Sequence, residues 1–103
     1  MSANIGYYPD HDYQLRRLNE DDGLDPIVAY FLQGRDLYRA RQLRPQSPIT
    51  RLEGKPIGRV VLNNSLLPYA VRDGETLLGE IDLPTAIFIT TDGQRYLLQR
   101  VEL

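Results

Sequence analysis

Asp73-Gly74 and Asp92-Gly93 each stand between two runs rich in apolar and β-branched residues. No other feature constrains the fold of this chain as tightly. An Asp-Gly pair between such runs marks a tight hairpin, because glycine reaches positive φ without a Cβ penalty. Leu66 to Val71 and Glu75 to Ile81 flank the first pair; Thr85 to Thr91 and Gln94 to Glu102 flank the second. The spacing predicts adjacent hairpins over 66–81 and 85–102. Upstream, Ile57 to Asn63 is β-branched and bounded by turn residues, and Ile49 to Leu52 reads as a short strand. Glu53-Gly54-Lys55-Pro56 reads as the turn between them. Arg35 to Leu43 is a further candidate strand, closed by Pro45 and Pro48.

The first third of the chain carries a different signal. Asp25 suits a helix N-cap and Pro26 the first helical position, where its missing N–H costs nothing. Ile27, Val28, Phe31 and Leu32 then form an i, i+1, i+4, i+5 stripe, and Gly34 suits a helix stop. The pattern predicts a helix over 25–33; a competing reading carries it through Gly34 to Leu43. Leu15 and Leu18 place a helical turn within 13–19. Residues 1–12, broken by Gly6 and Pro9, read as an irregular arm, which Tyr7 and Tyr8 could pin to the body. A sheet must cover its apolar face. The expected fold is therefore α+β: one helix packed on an antiparallel sheet of five to six short strands. The alternative is a small β-barrel.

At 103 residues the chain is one domain, 1–103, with a core large enough to need no staple. It has no cysteine, which excludes disulfides and thiolate chemistry. The longest apolar run, Ile27 to Leu32, is far short of a membrane-spanning helix. The N-terminus shows neither the positive cluster nor the apolar run of a secretory signal. A cytoplasmic protein with no membrane contact is expected. The initial methionine suggests an intact small protein, and eleven Arg against Lys55 alone suggests a bacterial source.

Catalytic motifs are lacking. The serines are Ser2, Ser47 and Ser65, none in a nucleophile elbow, and the one histidine is His11. Asp10-His11-Asp12 could contact a metal, but it reads better as a solvated polar loop. Glu80 and Asp82 would share a strand face, which is more often a solvated surface than a site. Asn19 to Asp25 is acid-rich, yet it fails the EF-hand spacing: from Asn19, glycine falls at the fifth position and Tyr30 at the twelfth. No phosphate-binding glycine motif occurs. The expectation is no catalytic residue, no metal site and no cofactor.

Charge is the one functional signal. The chain is net −2, but residues 1–34 are net −4, 35–59 net +5 and 60–103 net −3. The candidate partner-binding residues are Arg35, Tyr38, Arg39, Arg41, Arg44 and Arg51. In a strand, Arg35, Arg39 and Arg41 share a face with Leu37, and Tyr38 lies opposite. Clustered arginines beside an aromatic side chain suit phosphate contact with base stacking, but a net acidic domain lacks the overall basic footprint of a nucleic-acid binder. Pairing with the acidic flanks, within the chain or across a homodimer, is the stronger reading. The best functional expectation is a small non-enzymatic protein-interaction module. The alternatives are a nucleic-acid-binding accessory protein, or a small ligand-binding protein or enzyme with a pocket between helix and sheet. Among the tyrosines, Tyr30, Tyr69 and Tyr96 sit in apolar runs and read as core or core edge, while Tyr7, Tyr8, Tyr13 and Tyr38 are candidates for exposed contacts.

Overall fold

A computed structural model describes residues 7–42, 50–62 and 69–101. The chain runs through eight strands: β1 (Asp12–Leu18), β2 (Leu24–Gln33), β3 (Asp36–Gln42), β4 (Thr50–Val61), β5 (Tyr69–Asp73), β6 (Thr76–Asp82), β7 (Ile87–Thr90) and β8 (Arg95–Val101). Each pairs antiparallel with the next, and β8 returns to pair with β1, closing a barrel. The expected helix on an open sheet is therefore wrong, and the barrel alternative fits. No helix occurs among the described residues.

The helix signal over 25–33 fails for a specific reason. Asp25 does make a cap-like bond, its Oδ1 accepting from the Ile27 N–H at 3.0 Å. That bond serves an irregular stretch of β2, where the pairing with β1 shifts register twice. The same bond serves a turn or bulge as well as it serves a helix. The six-residue apolar run carries both periods at once. Its alternate members Val28 and Leu32 turn inward and are buried, so packing against neighbouring strands decides the period. Gly34 has φ +63°, but as the first central residue of the two-residue turn joining Gln33 to Asp36. The turn over 13–19 is likewise replaced by β1, whose Tyr13 and Leu15 alternate into the core.

Every strand sends at least one apolar side chain inward. Leu15, Leu32, Leu37, Val60, Val71, Ile81, Phe88 and Leu98 are buried, one from each of the eight strands in order. They form one cluster. An eight-stranded barrel has an interior just wide enough for such side chains to fill. Outward positions are mixed, with Arg16, Arg59, Glu80 and Arg95 standing among exposed Ile27, Val61 and Ile89. No helix is long and apolar enough to cross a membrane.

Both Asp-Gly hairpins form. Asp73 pairs with Thr76 around Gly74, and β7 and β8 flank Gly93. The Glu53 to Pro56 turn does not end a strand. It lies inside β4, where the register against β3 shifts between Leu37 and Arg39 and Gly54 takes φ +64°. A bulge tolerates Pro56, whose missing N–H would break a regular ladder.

The glycine turns give a stability test. Gly74 (φ +61°) and Gly93 (φ +91°) have nothing within 4 Å of an added Cβ, so only backbone strain opposes substitution. Gly74→Val and Gly93→Val should each cost about 1–2 kcal/mol, lowering Tm by roughly 4–8 °C per kcal/mol. Thermal melts of both variants check this, and unchanged melts would contradict the turn geometry.

Candidate functional site

The net-positive segment 35–59 turns out to be one structural unit, the β3–β4 hairpin with the turn that leads into it. Alternation along β3 sends Leu37 inward, so Tyr38 faces outward and Arg39 steps back to the inner face at the barrel's end. Tyr38 stands opposite Phe31 of β2 in the register, and both are half-buried on the outer wall. Arg39 is exposed, opposite Tyr30 on β2 and Glu53 on β4. Beyond it the backbone register sets Arg41 against Arg51. Arg35 lies in the two-residue turn at the opposite end of β3, near the Tyr7 ring. Arg44 lies outside the described residues. The six candidates are thus divided: Arg39, Arg41 and Arg51 gather at one end, Tyr38 sits on the outer wall, and Arg35 sits at the other end.

Like charges directly opposed on paired strands repel each other. Arg59 on β4 opposes Arg72 on β5, and both are exposed. They line a cleft of about 210 Å3 with Asp36, Pro56 and Asp73. Arg59 reaches Asp36 at 3.6 Å, and Arg72 donates to the Glu75 carbonyl at 3.3 Å. Both side chains of the Arg59–Asp36 pair are well exposed, so it contributes little.

Comparison of the chain with known protein families, curated proteins and solved structures finds no match. The site must therefore be read from its own geometry.

Among the described residues two ion pairs form, Arg59–Asp36 and Arg95–Asp22. Neither joins the basic hairpin to an acidic flank. Asp22 and its neighbours fold instead into the β1–β2 turn, where Asn19 Oδ1 accepts from the Asp21 and Gly23 N–H groups. Arg95 ties that turn to β8 through Asp22 and the Asn19 carbonyl. Glu20 and Asp21 are left exposed at the same end of the barrel as the Arg39 end of β3.

The remaining polar candidates have structural duties. Asp12 Oδ1 accepts from the Gly34 N–H at 3.0 Å, while the Tyr7 hydroxyl donates to the Gly34 carbonyl at 2.9 Å. His11 donates its backbone N–H to the Tyr8 carbonyl, and its ring meets Tyr8 edge-on at 5.9 Å. Asp82 accepts from the Thr85 hydroxyl in the β6–β7 connection. No metal-ligating cluster occurs among the described residues.

Tyrosine placement corrects the sequence reading in part. Tyr7 is 4% and Tyr13 2% exposed, so both belong to the core rather than to a contact surface. Their rings lie 5.5 Å apart, and Tyr69 meets Tyr7 edge-on. Tyr8 is exposed. Tyr30, Tyr69 and Tyr96 pack against the core edge as their apolar context implies. Burial pushes the Tyr7 hydroxyl far above the ordinary phenol range, with Tyr13 adding to the rise and Arg35 opposing it. The sequence reading passed over Arg17, which faces Tyr96 across β1 and β8. The available signal was its place two residues after Leu15, on the same face of a strand.

Proposed function

We propose that this barrel is a non-enzymatic, cytoplasmic protein-interaction module whose recognition element is the β3–β4 hairpin. Its partner presents an acidic surface. The observation that carries this reading is the concentration of the net +5 segment in one hairpin, with Arg39 exposed on it.

Closure of the barrel removes the free sheet edges that would otherwise favour strand-to-strand dimerisation. Charge remains as a route to self-association. Glu20 and Asp21 share an end of the barrel with the basic hairpin, so a twofold contact could satisfy both charges twice. A second copy is therefore the first partner to test. Nucleic acid is the weaker reading, because Tyr38 and Arg39 occupy opposite faces of β3. A single strand lying on one face cannot use both for stacking and phosphate contact.

Sedimentation at low and high salt tests this. A complex of twice the chain mass should weaken as salt rises, and Arg39→Glu with Arg41→Glu should abolish it. Mixing that variant with a Glu20→Arg, Asp21→Arg variant should restore association. A monomer at every salt concentration would reject self-association. Steeply salt-dependent binding to unrelated single-stranded oligonucleotides would favour nucleic acid instead.

A further inference from the structure

The strand register brings two tyrosine–arginine pairs to one mouth of the barrel. Tyr96 on β8 directly opposes Arg17 on β1, and Tyr30 on β2 directly opposes Arg39 on β3. All four occupy the inner face by alternation from buried neighbours: Arg17 follows Leu15, Arg39 follows Leu37, Tyr30 precedes Leu32 and Tyr96 precedes Leu98. In an up-and-down barrel these steps all run toward the same end. The two tyrosine rings meet edge-on with centroids 5.2 Å apart, and Phe88 packs against Tyr96 at 6.1 Å. Both tyrosines are half-buried, whereas Arg17 and Arg39 are exposed. The mouth is therefore an aromatic floor under a cationic rim.

The rim is prepared on one side. Arg17 donates its Nε–H to Gln94 Oε1 at 2.7 Å, which fixes the guanidinium and leaves its terminal nitrogens for another acceptor. Arg17 also borders a cleft of about 230 Å3 with Asn19, Leu24, Asp25 and Pro26. Among the described residues neither Arg17 nor Arg39 has a carboxylate partner. Acids do border the mouth: Asp25 lines the Arg17 cleft, Asp92 lies close enough to act on Tyr96, and Glu53 is set opposite Arg39 by the backbone register. Asp92 is engaged by the Thr90 hydroxyl.

We infer that this mouth binds a small aromatic anion, its ring lying against Tyr30 and Tyr96 and its oxyanion held between Arg17 and Arg39. Barrel mouths are recurrent ligand sites, and guanidinium groups match phosphate and carboxylate oxygens in pairs. An aromatic face adds the preference for a ring over a bare anion. The site shares Arg39 and one end of the barrel with the docking reading above, but rests on Arg17, Tyr30 and Tyr96, which that reading does not use.

Titration with phenyl phosphate and, separately, inorganic phosphate tests the inference, followed by NMR of the tyrosine rings and backbone amides. Phenyl phosphate should bind saturably, shift the Tyr30 and Tyr96 ring signals, and bind about tenfold or more tightly than inorganic phosphate. Arg17→Gln and Arg39→Gln should each weaken binding about tenfold, the usual effect of losing a charged hydrogen bond. Arg72→Gln on the outer wall should leave it unchanged. If Arg17→Gln disturbs the fold through Gln94, Arg39→Gln carries the test alone. Equal binding of the two phosphates, shifts that bypass both tyrosine rings, or an equal loss in Arg72→Gln would each overturn the inference.

Discussion

Replacing Gly79 by valine should abolish cooperative folding. Gly79 lies buried in β6, directly opposite Thr90 of β7. A Cβ at this position would sit 2.4 Å from the Ile89 carbonyl oxygen, 2.7 Å from Phe88 Cε1 and 2.9 Å from Thr90 Cα. Two of those atoms are backbone, held in a ladder that helps close the barrel, and cannot rotate away. Overpacking that side chains can absorb costs about 1–3 kcal/mol. Here β6 and β7 would have to separate, so the cost should exceed that range and take a large share of a typical 5–15 kcal/mol stability. Gly58 is the informative comparison: its nearest obstacle is Leu78 Cδ1 at 2.5 Å, the end of a side chain that can move. Urea unfolding should therefore rank Gly58→Ala as milder than Gly79→Ala, with Gly79→Val showing no folded baseline. A Gly79→Ala variant as stable as the parent would show that β6 and β7 are not paired this closely.

The contrast between these glycines bears on what the sequence could reveal. Gly74 and Gly93 were legible because a following glycine after aspartate between apolar runs has one local explanation, a tight turn. Gly79 was not, since its role depends on Phe88 and Ile89, residues brought close only by the register of another strand. The same division runs through the rest of the fold. Asp25-Pro26 and Gly34 are local signals consistent with a helix or with a bulge and a hairpin turn. Pairing of β2 with both β1 and β3 selects the second. Closure itself has no local signature, because it rests on Leu15 meeting Leu98 across most of the chain. At the candidate site, charge segregation over 35–59 was visible as composition. The separation of Tyr38 from Arg39 followed from the strand period and agrees with the alternation of Leu37, Tyr38 and Arg39 in β3, whereas Arg35 lies in the turn before it. The convergence of Arg17 with Tyr96 could not be read, since it needs the β1–β8 register.

The core tyrosines make stability fall in alkali, and Tyr7 should dominate the effect. Burial raises the pKa of Tyr7, Tyr13 and Tyr96 above the ordinary phenol value near 10. For Tyr7 the next contribution is the Tyr13 ring beside it, and Arg35 works in the opposite direction. For Tyr13, the Tyr8 backbone N–H bonded to its hydroxyl at 2.9 Å partly offsets burial. A raised pKa means the folded state keeps a proton that the unfolded state releases. The stabilisation is complete below about pH 10 and is lost as pH rises toward the folded-state value. Each tyrosine that keeps its proton in this window should steepen the fall by about 1.4 kcal/mol per pH unit. Urea midpoints should accordingly be flat through mildly alkaline pH and then drop. Tyr7→Phe separates the contributions. It deletes the hydrogen bond to the Gly34 carbonyl and should cost about 1–3 kcal/mol at neutral pH, since that carbonyl loses its partner. Because it also deletes the titrating proton, its alkaline slope should be shallower by about one proton, and the two curves should converge as pH rises. Ultraviolet absorbance gives a second readout: the Tyr7 phenolate should appear only as the barrel unfolds. If all seven tyrosines instead titrate reversibly near 10 in the folded protein, Tyr7 is not buried in the core.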